Sequence, residues 1–567
     1  MGSYLDAILT ETQMTDVLVV GAGPVGLTLA SELARRGIAS RILDQEPTYH
    51  SGSRARGLLP PTQEIFENIG VLEQLAAHIE PWRPNRFYDR DNRLLREVDV
   101  AANMAALSTS GVPRLPMKIS QQNTEATLRE HLQSYGIQVE LNCQLVDFSQ
   151  NEEGVIASVL RAGQREEIQA RYLVGCDGGH STVRTCAGIA FTGKTGEEEY
   201  GIVGNVSISG LDPMFGIWVD PDRPSGFLLM LDQIHDDLWY FTGTLSPDEY
   251  RTFTPTLEGL QRFFDEQVRL PGIRLSNLIW MSTYRPQNMR VAERYRSGRV
   301  LLAGDAAHSG VLHGMETGIH DAYNLGWKLA LVLEGASNTL LDTYHDERFS
   351  IAQHEFASGG FSAGARTIIT GFSDQQKEPA TRSDASTPHL FGDTYRGSRL
   401  SRNLDDTTTI RAGDLAPSAP RVQAKGGETL RLFDLFRGTH FTLLTFGDRP
   451  MSGLPDTPGL LRTYTITRPG TPTATEGNVL IDSNGETYRT YGITQDVLVL
   501  VRPDGYVGLT TGSLEPQPII DYLHDVTGGA LERTTSKQGN AQTEEASQVK
   551  ETAEESQFAL FRKFHNF

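Results

Sequence analysis

The stretch Val17-Leu18-Val19-Val20-Gly21-Ala22-Gly23-Pro24-Val25-Gly26 decides the fold. Its first four residues are an apolar, β-branched run that predicts a buried strand. The glycines permit a sharp turn, and the apolar-periodic segment through Arg36 predicts a helix that Gly37 closes. A second strand, residues 38–43, ends at Asp44, 23 residues after Gly21. Together these features form a dinucleotide fingerprint. Glycines let the backbone approach a pyrophosphate, the free N–H groups and positive helix end meet its charge, and the acid stands where a ribose hydroxyl is held.

Two later blocks repeat the pattern of a strand ending in glycines and an acid. Residues 172–184 read YLVGCDGGHSTVR, with Ser181 placed to cap a helix. Residues 300–322 read VLLAGDAAHSGVLHGMETGIHDA. From Thr317 onward, Ile319, Ala322, Gly326, Leu329 and Leu333 share one helical face.

At 567 residues the chain is too long for one ordinary core. Alternating strands and helices define a main body at 16–372. Within it, about 198–284 holds short β-rich runs (IVGNVSISG, GIWVD, GFLLML, LWYFTGTL), which predict a largely antiparallel sheet suited to form a substrate wall. Polar, turn-rich residues 373–406 read as a linker, 407–526 as a small α/β unit, and 527–567 as a disordered acidic tail.

The net charge of −20 and pI near 5.2 argue against nucleic acid or an anionic membrane as partner. Without an apolar run of eighteen residues or a basic-then-apolar leader, neither a membrane span nor a secretory signal is expected, and the chain reads as cytoplasmic. Cys143, Cys176 and Cys186 are too few and too irregular for a disulfide framework or a metal site, and read as buried small residues.

The three motifs, in this order over residues 16–360, resemble the class A flavin-dependent aromatic monooxygenases of the para-hydroxybenzoate hydroxylase type. The resemblance implies an α/β fold: a Rossmann-like FAD-binding domain with an inserted, mostly antiparallel substrate sheet. It implies that Gly21, Gly23 and Gly26 approach the FAD pyrophosphate and that Asp44 holds the adenosine ribose. Arg54 and Gln121 would lie near the phosphates, with Arg56 a weaker candidate, and Val146 would meet the adenine through its backbone. Asp177 and Arg184 would contact FAD and NADPH, Asp305 the ribityl chain, and Gly314 to Gly318 the flavin N1 and O2 edge. The C-terminal run from Val499 to Gly508 resembles the thioredoxin-like domain of phenol- and polyketide-hydroxylating members. That domain has no cysteine here, which excludes thiol redox work.

The chain departs from the family between His308 and the following helix. The loop is about three residues short, and Glu316 replaces an asparagine. Glu316 either caps the helix or, if ionised, opposes an anionic reduced flavin and alters the chemistry. His313, in the shortened loop, either relays a phenolic proton or points into solvent; His308 is expected to be structural. Trp218, Phe227, Trp239 and Tyr240 are candidates to line an aromatic pocket, two of the four being expected to touch substrate.

The implied activity is hydroxylation or epoxidation of a phenolic or polycyclic polyketide-type aromatic, using NADPH or NADH and O2 through a flavin C4a-hydroperoxide. The alternatives are a same-fold oxidase, dehydrogenase or isomerase, and a non-catalytic flavin-binding interaction protein. A homodimer is left open.

Overall fold

The computed structural model describes residues 14–528, apart from 53–54, 56, 81–82, 100–115, 195–198, 221–222, 224–225, 236–237, 285–288, 311–313, 358–393 and 471–476. Arg54, Arg56, His313 and the expected tail beyond 528 therefore lie outside the described residues.

The apolar run at the start becomes the strand Thr15–Val20, central in an eight-stranded sheet. It pairs in parallel with Ser40–Leu43 on one side and Gln164–Gly175 on the other. Val139–Glu140 and Val300–Leu302 extend the parallel array outward. Because these strands run the same way, the residues that follow them emerge on one edge. Main-chain bonds lock this register: Gly21 N to Leu43 O at 2.8 Å, Cys176 N to Val20 O at 2.7 Å, and Ala303 N to Gly175 O at 2.9 Å. Three motifs far apart in sequence thus arrive side by side at the carboxyl ends of neighbouring strands, where open α/β sheets bind ligands.

The second sheet has seven strands, in the order Arg274–Tyr284, Tyr200–Ser209, Leu238–Leu245, Phe227–His235, Phe215–Val219, Asn85–Tyr88 and Leu94–Val98. It is antiparallel except where Phe215–Val219 meets Asn85–Tyr88. The β-rich segment seen in the sequence supplies five of these strands, and residues 85–98 supply the other two. One face packs Trp218, Trp239 and Phe241 against Leu260, Phe263 and Phe264 of the helix Leu257–Gln267. The other carries Phe215, Ile217, Met230 and Tyr240.

A third sheet of eight strands spans Arg402–Asn403 to Val507–Thr511. Its strands Phe441–Phe446, Leu461–Thr467 and Val479–Ile481 are parallel, while Val497–Val501 and Val507–Thr511 are antiparallel additions. One of its faces joins the core of the main body: Phe441, Leu498 and Leu509, with Tyr522 of the helix Gln517–Thr527, are buried in the same cluster as Leu18, Leu29 and Trp327. The described part of the stretch read as a linker, 394–406, is ordered against this unit. Tyr395 and Leu400 are buried, and Arg402–Asn403 pairs with Val507–Thr511.

A buried charge cluster pins the C-terminal sheet to the long helix Gly314–Leu333 and the next helix, Asp342–Ala357. Glu347 accepts from Lys328 Nζ at 2.7 Å, from Arg502 at 2.7 and 3.0 Å, and from Ser398 Oγ at 2.7 Å. Asp504 accepts from the Arg502 guanidinium and from Trp327 Nε1 at 3.0 Å. Two cations meet two carboxylates, so the cluster is neutral. Burial opposes the Glu347 charge, but Arg502 and Lys328 outweigh it and hold the carboxyl well below its ordinary range.

Of the cysteines, Cys143 is buried but Cys186 is exposed, correcting the expectation for it. It closes the short helix Thr182–Cys186. Among the described residues, no helix is long and apolar enough to cross a membrane.

Removing one member of a buried ion cluster strands its partners in a low-dielectric interior. Arg502→Leu is therefore expected to destabilise the protein by about 3–5 kcal/mol, read as a lowered urea midpoint. An unchanged midpoint would show that the cluster contributes nothing to stability.

Candidate functional site

Gly21 adopts φ +101°, and a Cβ there would lie 2.4 Å from the Cys176 carbonyl oxygen. At Gly26 a Cβ would lie 2.0 Å from the Gly21 carbonyl oxygen. These two positions are closed by the protein's own backbone. Gly23 differs: a Cβ there would meet nothing within 4 Å. It is the N-cap of the helix Pro24–Ala34, whose first N–H groups receive no side-chain cap. An uncapped helix N-terminus beside open space is suited to a phosphate group.

The other expected cofactor residues have the following surroundings. Asp44 Oδ2 accepts from Ala22 N at 2.8 Å, which places its carboxylate against the glycine turn. Gln121 begins the helix Gln121–Ser134, its amide N–H bonded to Ala55 O at 3.1 Å. Asp177 accepts from Ser181 Oγ at 2.5 Å and Val183 N at 3.1 Å, and burial raises its pKa. Ser181 caps the short helix through Arg184 N, as its sequence position indicates. Arg184 donates to Ala306 O at 2.9 Å and Gly179 O at 2.8 Å, tying the second motif to the third. Val146 O receives Cys186 Sγ at 3.7 Å. Asp305 lies exposed in the 3₁₀ turn Gly304–Ala306. A Cβ on Gly318 would lie 2.6 Å from the Val25 side chain and 3.1 Å from Gly304 Cα, so the long helix seats on the first and third motifs together.

His308, expected to be structural, is buried against an acid. Its Nε2 lies 2.6 Å from Asp321 Oδ2, which also accepts from Gly304 N at 3.0 Å. Asp321 Oδ1 accepts from Arg348 at 2.6 Å, and Arg348 reaches Tyr395 Oη at 2.9 Å and Thr317 O at 3.1 Å. Burial opposes the Asp321 charge, yet His308 and Arg348 prevail and hold its carboxyl down to about 2. An ionised carboxylate only accepts, so His308 donates from Nε2. The sequence reading missed Asp321 and Arg348, although an acid inside the apolar run GIHDAYNLGW was a visible signal.

Glu316 is buried, and its described main-chain partner is the amide of Leu59, on another element, rather than an N–H of its own helix. Burial, opposed by the bonds from Leu59 and Thr62, pushes its carboxyl up to about 8. Burial thus favours the protonated, uncharged form of this acid.

Trp218 and Trp239 are buried against the helix Leu257–Gln267, on the face away from the nucleotide turn. Trp218 is further held by its Nε1 bond to Asn92 and by stacking on Tyr88. They are core residues, which corrects their candidacy for a substrate wall. Phe227 begins its strand, and its side chain lies outside the description.

Tyr240 is on the opposite face, in a cross-strand row in which Phe215, Asp232, Tyr240, Asn205 and Trp280 stand directly opposite one another. That face meets the main body. Lys118 Nζ binds Asp232 Oδ1 at 2.5 Å, and a methyl on Gly52 would overlap the Trp280 indole. Trp280 Nε1 donates to Asn205 Oδ1 at 2.5 Å. Asn205, Asp232, Lys118 and Trp280 escaped the sequence reading because no local motif marks them.

The comparisons with known proteins agree with this geometry. Residues 14–357 match the model of an FAD binding domain. The chain is 36% identical over 518 residues to a flavin-dependent monooxygenase of Mycobacteroides abscessus, covering 89% of this chain and 99% of the relative. It is 32% identical over 544 residues to pentachlorophenol 4-monooxygenase of Sphingobium chlorophenolicum, covering 89% and 96%. Among solved structures, aklavinone-11 hydroxylase in a ternary complex with FAD and aklavinone superposes with a TM-score of 0.74 at 25% identity, over 91% of this chain and 99% of that one.

The contrast between the two glycines gives a direct check. Gly23→Ala enters open space at an ordinary φ of −73°. It is expected to leave stability within about 1 kcal/mol and to weaken FAD binding at least about tenfold, roughly 1.4 kcal/mol, by titration of the apoprotein. Gly26→Ala is expected to impair folding itself, seen as loss of soluble protein or a lowered unfolding midpoint.

Glu316 gives a second. Its folded-state pKa is raised above the unfolded value, so its contribution to stability is complete below about 4.5 and is lost as pH rises through about 8. Glu316→Gln is expected to flatten the decline in stability across that window, which at about 1.4 kcal/mol per pH unit amounts to several kcal/mol. Superimposable pH–stability curves for the two proteins would refute it.

Proposed function

Because the chain belongs to the class A FAD-dependent aromatic hydroxylases, and is thus an FAD-dependent oxidoreductase, we propose that it uses NADPH or NADH and O2 to hydroxylate or epoxidise a phenolic or polycyclic polyketide-type aromatic. The observation that carries this reading is the meeting of three motifs around the open space at Gly23, beside a sheet whose inner face presents a polar and aromatic row.

Residues 16–372 are read as a Rossmann-like FAD-binding body with the seven-stranded sheet as substrate wall, and 407–526 as a thioredoxin-like unit. The parallel order of the first sheet and the mixed order of the third support these assignments. Gly21 and Gly26 would shape the turn and Gly23 N-caps the helix that receives the pyrophosphate, with Asp44 at the ribose. Arg54, Gln121, Val146, Asp177, Arg184 and Asp305 take the remaining roles that the family implies, and Gly318 lets the long helix approach.

Bound FAD would supply electron transfer from the nicotinamide and activation of oxygen; the protein's own task is to bind, orient and exclude water. The long helix would turn its positive end toward the anionic edge of the reduced flavin. Glu316, whose burial favours the uncharged acid, would oppose that anion less than an ionised carboxylate would, which weakens the electrostatic argument for an oxidase or isomerase built on the scaffold. On the facing wall, Tyr240 and Trp280 would offer ring contact to an oxygenated aromatic.

Supplying the flavin-loaded protein with NADPH, a panel of phenols and polycyclic aromatics, and isotopically labelled dioxygen tests the reading. NADPH consumption should rise with a preferred substrate, whose product should carry one labelled oxygen atom by mass spectrometry. Flavin reoxidation with no oxygenated product across the panel would reject it.

A further inference from the structure

The long helix carries a further set of polar groups, on the face toward the helix Pro60–Ile69. Glu316 and His320 are one turn apart and so share a face. Across from them lies the helix Pro60–Ile69, with Thr62 fully buried in its first turn. The Thr62 hydroxyl is 3.2 Å from His320 Nε2 and also bonds to the Glu316 carboxyl. Beyond His320 is a cavity of about 50 Å³ between these helices and the C-terminal sheet, lined by polar residues (Glu64, Asn68, Asn324, Asp504) and by apolar ones such as Ile65 and Phe433. A water needs about 10–15 Å³ of such space, so the cavity has room for water.

We propose that Glu316, Thr62 and His320 form a proton path joining the cofactor-facing end of the long helix to this chamber. It rests on the reading that the flavin lies over the glycine turn and the start of that helix. The Glu316 acid proton passes to the Thr62 oxygen as the Thr62 hydroxyl proton passes to His320 Nε2, and the Nδ1 proton leaves for chamber water. Only O–H and N–H bonds change and no electron moves. The products are a Glu316 carboxylate and a proton in the chamber, and the reverse transfer restores the start.

The groups are suited to this passage. His320 is kept neutral, and able to accept at Nε2, by burial and by the Arg348 charge, against the opposing pull of Asp321; together these push its ring down to about 3. Glu316 holds its proton up to about 8. The concerted passage avoids a His320 cation, which these surroundings disfavour. The path connects the cofactor side to the domain junction, so it gives the C-terminal sheet a part in the site without its touching substrate.

The test follows the carboxylic acid itself. In the purified holoenzyme, infrared difference spectra on transfer to deuterated buffer should show a protonated-acid band that is absent in E316Q, and the rate of its hydrogen–deuterium shift reports access to water. Thr62→Val and His320→Leu are expected to slow that exchange at least about tenfold, and Thr62→Ser to restore it. Should H320L fail to fold, H320Q, which keeps a polar group but lacks the two-nitrogen relay, takes its place. Exchange as fast as wild type in both the Thr62 and His320 variants, or no band lost in E316Q, overturns the path. Visible absorbance of the same samples reports whether flavin is bound, so failure of the cofactor reading is seen separately from failure of the relay.

Discussion

The carboxylate of Asp321, sealed from solvent, accepts from the Gly304 amide, the His308 ring and the Arg348 guanidinium at once. Each partner belongs to a different element: the turn after the fifth parallel strand, the segment leading to the long helix, and the helix that follows it. An ionised carboxylate in such surroundings is costly unless its lone pairs are satisfied, so the position of the long helix is over-determined by this one group. Gly318 then seats against Val25 and Gly304, and the nucleotide turn acquires its back wall. Without Asp321, the three glycine motifs would still end neighbouring strands, but the helix that closes the site would lose its anchor.

The same helix is held further along by the Lys328, Glu347, Arg502 and Asp504 cluster, which belongs equally to the C-terminal sheet. Arg348 joins the two clusters, since it binds Asp321 and reaches Tyr395, which stacks on Tyr506 at 4.1 Å. Arg502 also lies over the rings of Trp327, Tyr395 and Tyr506. A sheet with no cysteine cannot do thiol chemistry, but here it supplies charges to the interior of the first body. Its contribution is to fix the helix that carries the site rather than to react.

Much of this arrangement was legible in the sequence, and the reason is parallel topology. Strands that run the same way must deliver their following residues to one edge, so motif order alone implied that Gly21, Asp177 and Gly304 would converge. Ser181 was legible as a cap because capping is local. The aromatic wall was less legible. Trp239 and Tyr240 are adjacent on one strand and must point to opposite faces, so both could not line one pocket, but which face is inner depends on the helix Leu257–Gln267 covering the other. Asn205, Asp232 and Trp280 are adjacent only through pairing between distant strands, a relation that no window of sequence contains.

Glu316 shows how an apparent conflict in sequence can disappear in three dimensions. Read alone, an acid beside an anionic reduced cofactor is a liability, and capping its own helix was the mild explanation. Capping by an ionised carboxylate would have kept it charged, since hydrogen bonds to the charged form favour that form. The fold instead buries it against Leu59 and Thr62, and desolvation outweighs those bonds. Burial thus favours a neutral carboxyl, with one property an amide lacks: a dissociable proton. Glu316 therefore gives the start of the long helix a group that can exchange a proton with its surroundings without standing there as a fixed charge.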